Sequence, residues 1–140
     1  MKDSTTELYA AVYSMLNGNL SYGGSDYPVY SSVPKSANYN YVVLADVTFN
    51  EDGAQDTYIS DCTMLIDIVT GGFKNRGTKK PMNSISNQIL QLLVGQNISM
   101  TNFTISVHPH LINANEIEEI TEVSIIYRKL LRLRFTVQQT

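Results

Sequence analysis

Apolar and polar residues alternate along several stretches of the chain, which is the pattern of a strand with one buried face. The first two stretches run from Tyr41 to Phe49 and from Thr57 to Val69. A short polar connection, residues 50–56, joins them, so the pair predicts a β-hairpin. In the first strand we assign to one side Tyr41, Val43, Ala45, Val47 and Phe49. In the second strand the apolar side carries Tyr58, Ser60, Cys62, Met64, Ile66 and Ile68.

Two further strands are predicted towards the C-terminus. One covers Thr101 to Val107, with its apolar residues on one side. The other runs from about Ile120 to Gln138 and would span roughly 60 Å at about 3.3 Å per residue, well beyond the usual strand length. Such a strand either bends or projects past the body of the subunit. We expect a bulge at Lys129, a charged residue among apolar neighbours.

Two segments have the apolar spacing of amphipathic helices. The first covers residues 4–17, and its start, Ser4-Thr5-Thr6-Glu7, has the spacing of a capping box. The second begins at Pro81, a residue that suits the first turn of a helix, and ends at Gly95.

The order helix, hairpin, helix, two strands predicts an α+β fold. We expect a two-layer domain in which a mainly antiparallel four-stranded sheet with a long β-hairpin carries two helices packed on one face. Residues 1–140 form a single domain, long enough to bury about two-thirds of its unfolded surface. Residues 19–40, rich in Gly, Ser, Tyr and Pro, predict a loop with a short extended piece from Val29 to Val33.

The second face of the predicted sheet is not the polar surface expected of a solvent-facing side. It mixes charged residues with large aliphatic ones: Asp46, Asp61, Asp67, Arg128, Arg132 and Arg134 beside Val42, Leu44, Ile59, Leu65, Ile126 and Leu130. Such a mixture is typical of a protein interface. The alternative is that the tyrosine-rich loop 19–40 covers this face within one subunit.

Charge gives a second indication of subunit contacts. The formal net charge of −3 argues mildly against nucleic acid as the main partner. Basic residues gather at Lys74, Arg76, Lys79, Lys80, Arg128, Lys129, Arg132 and Arg134. Acidic residues gather at Asp46, Glu51, Asp52, Asp56, Asp61, Asp67, Glu116, Glu118, Glu119 and Glu122. These groups pair either across strands within one sheet or between neighbouring subunits, where complementary charge selects the partner.

No catalytic, cofactor or metal site is predicted, and we expect the protein not to be an enzyme. His108 and His110 have no nearby Cys or third His to complete a tetrahedral metal site. Cys62 lies on an apolar strand face and is expected to be a buried hydrophobe. The acidic run 116–119 is expected at the edge of a loop. The chain has neither a signal pattern nor an apolar run near 20 residues, so we expect a soluble, non-membrane protein.

Six apolar motifs follow one another in a fixed order along the chain. They are the helix Leu8–Leu16, the segment Val29–Pro34, Tyr41–Leu44 at the start of the hairpin, Ile66–Val69, the helix end Ile89–Leu93, and the C-terminal strand. In this order the chain resembles the tail terminator, or tail-completion, proteins of tailed bacteriophages. It departs from that family at Asn40, where a Pro is usual, and in having no Trp late in the second strand.

The resemblance implies a virion protein of the head–tail junction, assembled in the bacterial cytoplasm as a closed six-fold or twelve-fold homo-oligomeric ring. It also implies contacts with portal or neck proteins on one side and tail proteins on the other, a lumen for genomic DNA, and no active-site residues. The subunit-interface candidates are Glu51, Asp52, Asp56, Lys74, Arg76, Lys79, Lys80, Arg128, Arg132 and Arg134. The alternative is a nucleic-acid-binding module that uses the three arginines and nearby tyrosines.

Overall fold

The computed structural model describes residues 2–51, 58–73, 77–122 and 124–140. Its elements, in chain order, are α1 (Thr5–Leu16), β1 (Ser21–Tyr22), β2 (Ser25–Asp26), β3 (Val29–Tyr30), β4 (Tyr41–Glu51), β5 (Ile59–Phe73), α2 (Lys80–Leu93), β6 (Phe103–Ile120) and β7 (Ile125–Gln139). The predicted α+β class is confirmed.

Five strands form the main sheet in the order β3-β4-β5-β7-β6. The four long strands are antiparallel to their neighbours, as predicted, and β3 adds a short parallel pair against β4. Strand β3 is the predicted extended piece at Val29, although it is only two residues long. Strands β1 and β2 form a separate small hairpin within the segment 19–40, which the sequence predicted only as a loop.

Both helices pack on one face of this sheet, which we call the inner face. The fully buried residues of the helices are Leu8, Val12, Leu16, Met82, Ile85, Ile89 and Leu93. They meet the buried strand residues Cys62, Met64, Ile66, Ile68, Leu131, Leu133 and Phe135. Because β5 and β7 alternate without interruption from Ile59 to Thr70 and from Tyr127 to Gln138, both keep one face in the core along that length.

The predicted capping box at the start of α1 is wrong. Ser4 is fully buried, and its hydroxyl lies 3.7 Å from the sulfur of Cys62, so it does not cap the helix. Asp3 takes over this role, because its Oδ1 accepts hydrogen bonds from the backbone N–H of Thr5, at 2.8 Å, and from the Thr5 hydroxyl. The Oε2 atom of Glu7 is buried without a hydrogen-bond partner among the described residues. Burial of Ser4 against the thiol therefore outweighs the local capping pattern.

A β-bulge corrects the predicted orientation of β4. The register between β4 and β5 shifts between Leu44 and Val47, so two residues of β4, Ala45 and Asp46, stand opposite Leu65. The hydroxyl of Tyr9 donates to the carbonyl of Ala45 at this point. The shift reverses the alternation, so the residues that pack on the core are Val42, Leu44, Val47 and Phe49. Tyr41, Val43 and Ala45 lie on the opposite, outer face.

The predicted bulge at Lys129 is also wrong. Lys129 is in regular register with Ile68 on one side and Glu116 on the other. Its ammonium group donates to Oδ1 of Asn83 at 3.1 Å and lies 3.7 Å from a carboxylate oxygen of Glu116. The charge is therefore accommodated beside α2 without distortion of the strand.

The irregular strand is β6. It has 18 residues instead of the predicted seven, and its register with β7 shifts three times between Ile105 and Asn113. The acidic residues 116–119, which were expected at a loop edge, lie inside this strand.

Candidate assembly surface

The outer face of the sheet is held together by ion pairs between neighbouring strands. Arg128 of β7 binds Asp67 of β5 through one edge of its guanidinium, with Nε 3.4 Å from Oδ1 and Nη2 bonded to Oδ2. On its other side Arg128 donates from Nη1 to Oε1 of Glu119 in β6, at 3.0 Å. The hydrogen bonds that Arg128 donates to Asp67, with a smaller contribution from Glu119, raise the pKa of Arg128 above its usual range. Three strands are thus joined through one guanidinium.

A second pair repeats this arrangement further along the same strands. Arg134 donates to Asp61 through Nε at 2.7 Å and Nη2 at 2.6 Å. Between the two pairs, Arg132 lies 3.4 Å from the hydroxyl of Thr63, and within the described ranges no carboxylate is at ion-pair distance from it. The expectation of cross-strand pairing within one sheet is therefore confirmed for Arg128 and Arg134. These pairs neutralise the charges of two of the three arginines that the alternative function, nucleic-acid binding, would use.

A cleft of about 440 Å³ lies on the outer face, at the end that carries Arg128. It is lined by Val33, Tyr39, Tyr41, Val43, Ala45, Asp67, Val69, Glu119, Ile126 and Arg128. The ring of Tyr39 packs over Gly71, where an added Cβ would lie 3.2 Å from the ring. The segment 19–40 therefore covers this end of the outer face, in agreement with the alternative drawn from the sequence. Its other tyrosines do not all belong here, since Tyr27 is buried and shares a 2.9 Å hydrogen bond with Thr70.

Strand β6 is the long edge of the sheet, and it is strongly exposed. Among the described residues, five of the six most exposed aliphatic side chains belong to it: Val107, Leu111, Ile112, Ile117 and Ile120. Bulges and Pro109 interrupt the first half of this edge, devices that discourage pairing with another strand. From Asn113 to Ile120 the pairing with β7 is regular, so the far side of this half presents an ordered row of backbone donors and acceptors.

The N-terminus of α2 lies beside this edge. Lys79 is 3.5 Å from Glu116 and stands 5.9 Å from the centre of the Tyr127 ring. Lys80 is exposed, and no ion pair of its side chain occurs within the described part of the chain. These two lysines therefore differ, because Lys79 has partners in its own subunit and Lys80 presents a free charge to the surroundings.

The predicted interface residues do not form one patch. Glu51 ends β4 opposite Ser60, whereas Arg128 stands opposite Val69, roughly 30 Å further along β5 at about 3.3 Å per residue. Lys79 and Lys80 lie at the Arg128 end but on the helix side of the sheet. Four candidates, Asp52, Asp56, Lys74 and Arg76, fall outside the described residues. An interface role for the ten candidates stays a prediction.

The part of β6 beyond Val107 was not predicted from the sequence. Residues 108–120 contain Pro109, several Asn residues and the glutamates, and their three register shifts remove the alternation that marks a strand. A long β6 could have been inferred only indirectly. β7 has 15 residues with apolar side chains on both faces, and a strand of that length needs a long partner strand on each side.

The residues considered for possible chemistry, His108, His110 and Cys62, all lie in the described ranges. No group of three or more His, Cys, Asp or Glu there could hold a metal ion. His108 Nδ1 lies 3.4 Å from the carbonyl of Gln96. Burial raises the pKa of the Cys62 thiol and outweighs the contact with the Ser4 hydroxyl, which lowers it, so the reactive thiolate form is disfavoured. No described helix has both the length and the apolar character of a membrane span.

Comparison with known proteins gives a structural match and no sequence match. A chain in a solved structure described as the virion of a native gene transfer agent particle has the same fold, with a TM-score of 0.73 at 16% identity. The alignment covers 97% of the present chain and 99% of the matched chain. No protein-family model matches the sequence, and no curated protein matches it either. At this identity the likeness establishes a shared fold.

Proposed function

We propose that this chain is a structural, non-catalytic subunit of a phage-type virion. The observation that carries the proposal is the structural match to a virion chain, because it covers almost the whole of both chains. The surface supports the same conclusion, since its main features are an exposed strand edge and a network of ion pairs.

In its finer form, the proposal is a tail-terminator-type protein of the head–tail junction. Its subunits, assembled in the bacterial cytoplasm, close into a six-fold or twelve-fold ring between portal or neck proteins and tail proteins. A ring requires two different surfaces of each subunit to meet. The regular half of β6 supplies one of them, because an exposed edge with apolar side chains is suited to pairing with another chain.

Genomic DNA passes through the ring without sequence-specific binding. The charge arrangement supports this role: Arg128 and Arg134 are compensated by carboxylates of the same sheet, so the face offers few free cations for phosphate groups. The acidic overall balance of the chain acts in the same direction.

The direct test is the state of assembly. The purified chain is examined by light scattering and electron microscopy, and virions that carry a tagged copy are imaged to locate the tag. We expect a closed ring, and a tag at the head–tail junction. A monodisperse monomer in solution, together with a tag that is absent from virions or scattered over them, would refute the proposal.

A charge reversal tests the contribution of the α2 end. Lys80→Glu is the preferred variant, because Lys79 already pairs with Glu116 and its reversal would disturb the subunit itself. We expect Lys80→Glu to reduce particle assembly while circular dichroism and the thermal midpoint stay unchanged. Lys35→Glu, at an exposed position in the segment 19–40, is the matched control. Equal assembly of both variants would remove Lys80 from the interface.

A further inference from the structure

The cleft on the outer face has an unbalanced set of charges. Asp67 and Glu119 contribute two carboxylates, and Arg128 contributes one guanidinium. Both oxygens of Asp67 are occupied by Arg128, and Asp67 is almost fully buried. Glu119 uses only Oε1 for Arg128, and its other oxygen has no partner in the described ranges. Its side chain is 45% exposed, so a carboxylate oxygen is accessible from outside.

The walls of the cleft add two aromatic rings. Tyr41 is fixed by an edge-on contact with Tyr30, at 6.0 Å between ring centres, and Tyr39 is fixed by its packing over Gly71. Neither hydroxyl has a hydrogen-bond partner among the described residues. Burial raises the pKa of Tyr41, while Arg128 lowers it and Asp67 and Glu119 raise it by smaller amounts, so the ring lies within the field of all three charges.

These features favour a cation as the occupant. Aromatic faces attract ammonium and guanidinium groups, and Arg side chains do so most often. A guanidinium also carries five donors, which match the free Glu119 oxygen and the tyrosine hydroxyls. An anion would instead have to displace Glu119 from Arg128 and then face buried Asp67. The volume of about 440 Å³ is sufficient for one long side chain.

We propose that the outer-face cleft is a socket for an arginine side chain presented by a neighbouring virion subunit. The socket itself follows from the charges and rings of this chain, and only the source of the side chain rests on the proposed function. The cleft is also close to the β6 edge, because Glu119 lies in the regular half of that strand. A subunit docked on the edge would therefore have the socket within reach.

The socket is tested first by two-dimensional amide NMR on the monomeric fraction of the purified chain, in which no neighbouring subunit fills the cleft. The probe is N-acetyl-arginine amide, and the matched neutral probe is N-acetyl-citrulline amide, which has nearly the same shape without the charge. We expect the arginine probe to shift the amides of residues 39–45, 119 and 126–128, with about tenfold weaker binding of citrulline. N-acetyl-glutamate is the anionic control and should not bind there.

Variants separate charge from shape. Glu119→Gln should abolish the preference for arginine over citrulline, whereas Glu122→Gln removes the same charge from the nearby turn and should preserve it. Unchanged amide spectra outside the cleft establish that both variants fold. Equal binding of arginine and citrulline, no shift with either, or binding of the anion would overturn the socket.

A second experiment connects the socket to assembly. Glu119→Gln should reduce incorporation of the subunit into particles relative to Glu122→Gln. The two proposals fail differently. If the wild-type chain assembles but its cleft does not bind the arginine probe, the socket is refuted and the structural role is still supported. If the cleft binds arginine but the chain enters no particle, the structural role is refuted.

Discussion

The two faces of the main sheet are built from different chemistry. On the inner face, Leu131, Leu133 and Phe135 of β7 have no exposed surface, because they lie in the hydrophobic core between the sheet and the helix layer. On the outer face, the residues between them are partly exposed, and bidentate Arg–Asp pairs link the strands. Burial of apolar surface is the dominant favourable term in folding, whereas exposed ion pairs contribute little. The inner face therefore stabilises the fold, and the outer face remains available for contacts with other molecules.

The sharpest test of this difference uses two adjacent leucines of β7. Leu131 is fully buried on the inner face, and Leu130 is half-buried on the outer face. Leu131→Ala should cost about 2–5 kcal/mol of the free energy of unfolding, since it removes buried methyl groups and leaves a cavity. Leu130→Ala should cost about 1 kcal/mol or less, because surface substitutions usually have small effects. Urea denaturation of both variants measures the difference, and equal costs would contradict the two-face description.

The inner face could largely be predicted from the sequence. The alternation in β5 gave the correct buried residues from Ser60 to Ile68, because this strand keeps a regular register with β7 over most of its length. Tyr58, assigned to the same side, is exposed. The alternation in β4 failed at Ala45 and Asp46, where one extra residue reverses the faces. A bulge of this kind depends on the partner strand and on the hydroxyl of Tyr9, so it leaves no local pattern.

The outer face was harder to predict. The sequence identified its mixture of Arg, Asp and aliphatic residues, but it could not decide whether the charges pair within the sheet or between subunits. That choice depends on register: Arg128 stands opposite Val69 and Ile117, and its guanidinium reaches Asp67 and Glu119 diagonally. The cleft was not predictable, because it also requires Tyr39, which lies in the stretch 31–40, where no helix or strand is formed.

A second test compares the two ion pairs of the outer face. Asp67 is 8% exposed and Asp61 is 26% exposed, although both bind an arginine through two oxygens. Asp67→Asn should cost about 2 kcal/mol, because it weakens hydrogen bonds to a charged group in a nearly buried position. Asp61→Asn should cost about 0–1 kcal/mol, as expected of a solvent-screened pair. The measurement is urea denaturation at low and high salt, and only the Asp61 effect should diminish with salt.

A smaller effect is expected from two tyrosine hydroxyls. Tyr27 bonds Thr70 on the inner side of the sheet, and both residues are almost fully buried. Tyr27→Phe should cost about 1–2 kcal/mol, since the Thr70 hydroxyl would lose its partner. Tyr41→Phe, on the outer face, removes a hydroxyl without a partner in the described ranges and should change stability by less than about 0.5 kcal/mol. Thermal denaturation resolves the difference, and similar costs would indicate that the cleft contributes to the fold.

The smallest effect is expected from Asp3, an exposed carboxylate that accepts hydrogen bonds at the start of α1. The hydrogen bonds from the Thr5 hydroxyl and backbone N–H lower the pKa of Asp3 below its ordinary value of 3.8. A lowered pKa means that the ionised form stabilises the folded chain, so this contribution is fully present above 3.8 and is lost as the pH falls through the folded-state pKa. Asp3→Ala should therefore cost about 0.5–1 kcal/mol at neutral pH, in the range of a helix cap, and almost nothing once Asp3 is protonated. Urea denaturation of both proteins across this acidic range measures the convergence. A difference that persists at low pH would show that Asp3 acts through packing and that its charge has no part in fixing the start of α1.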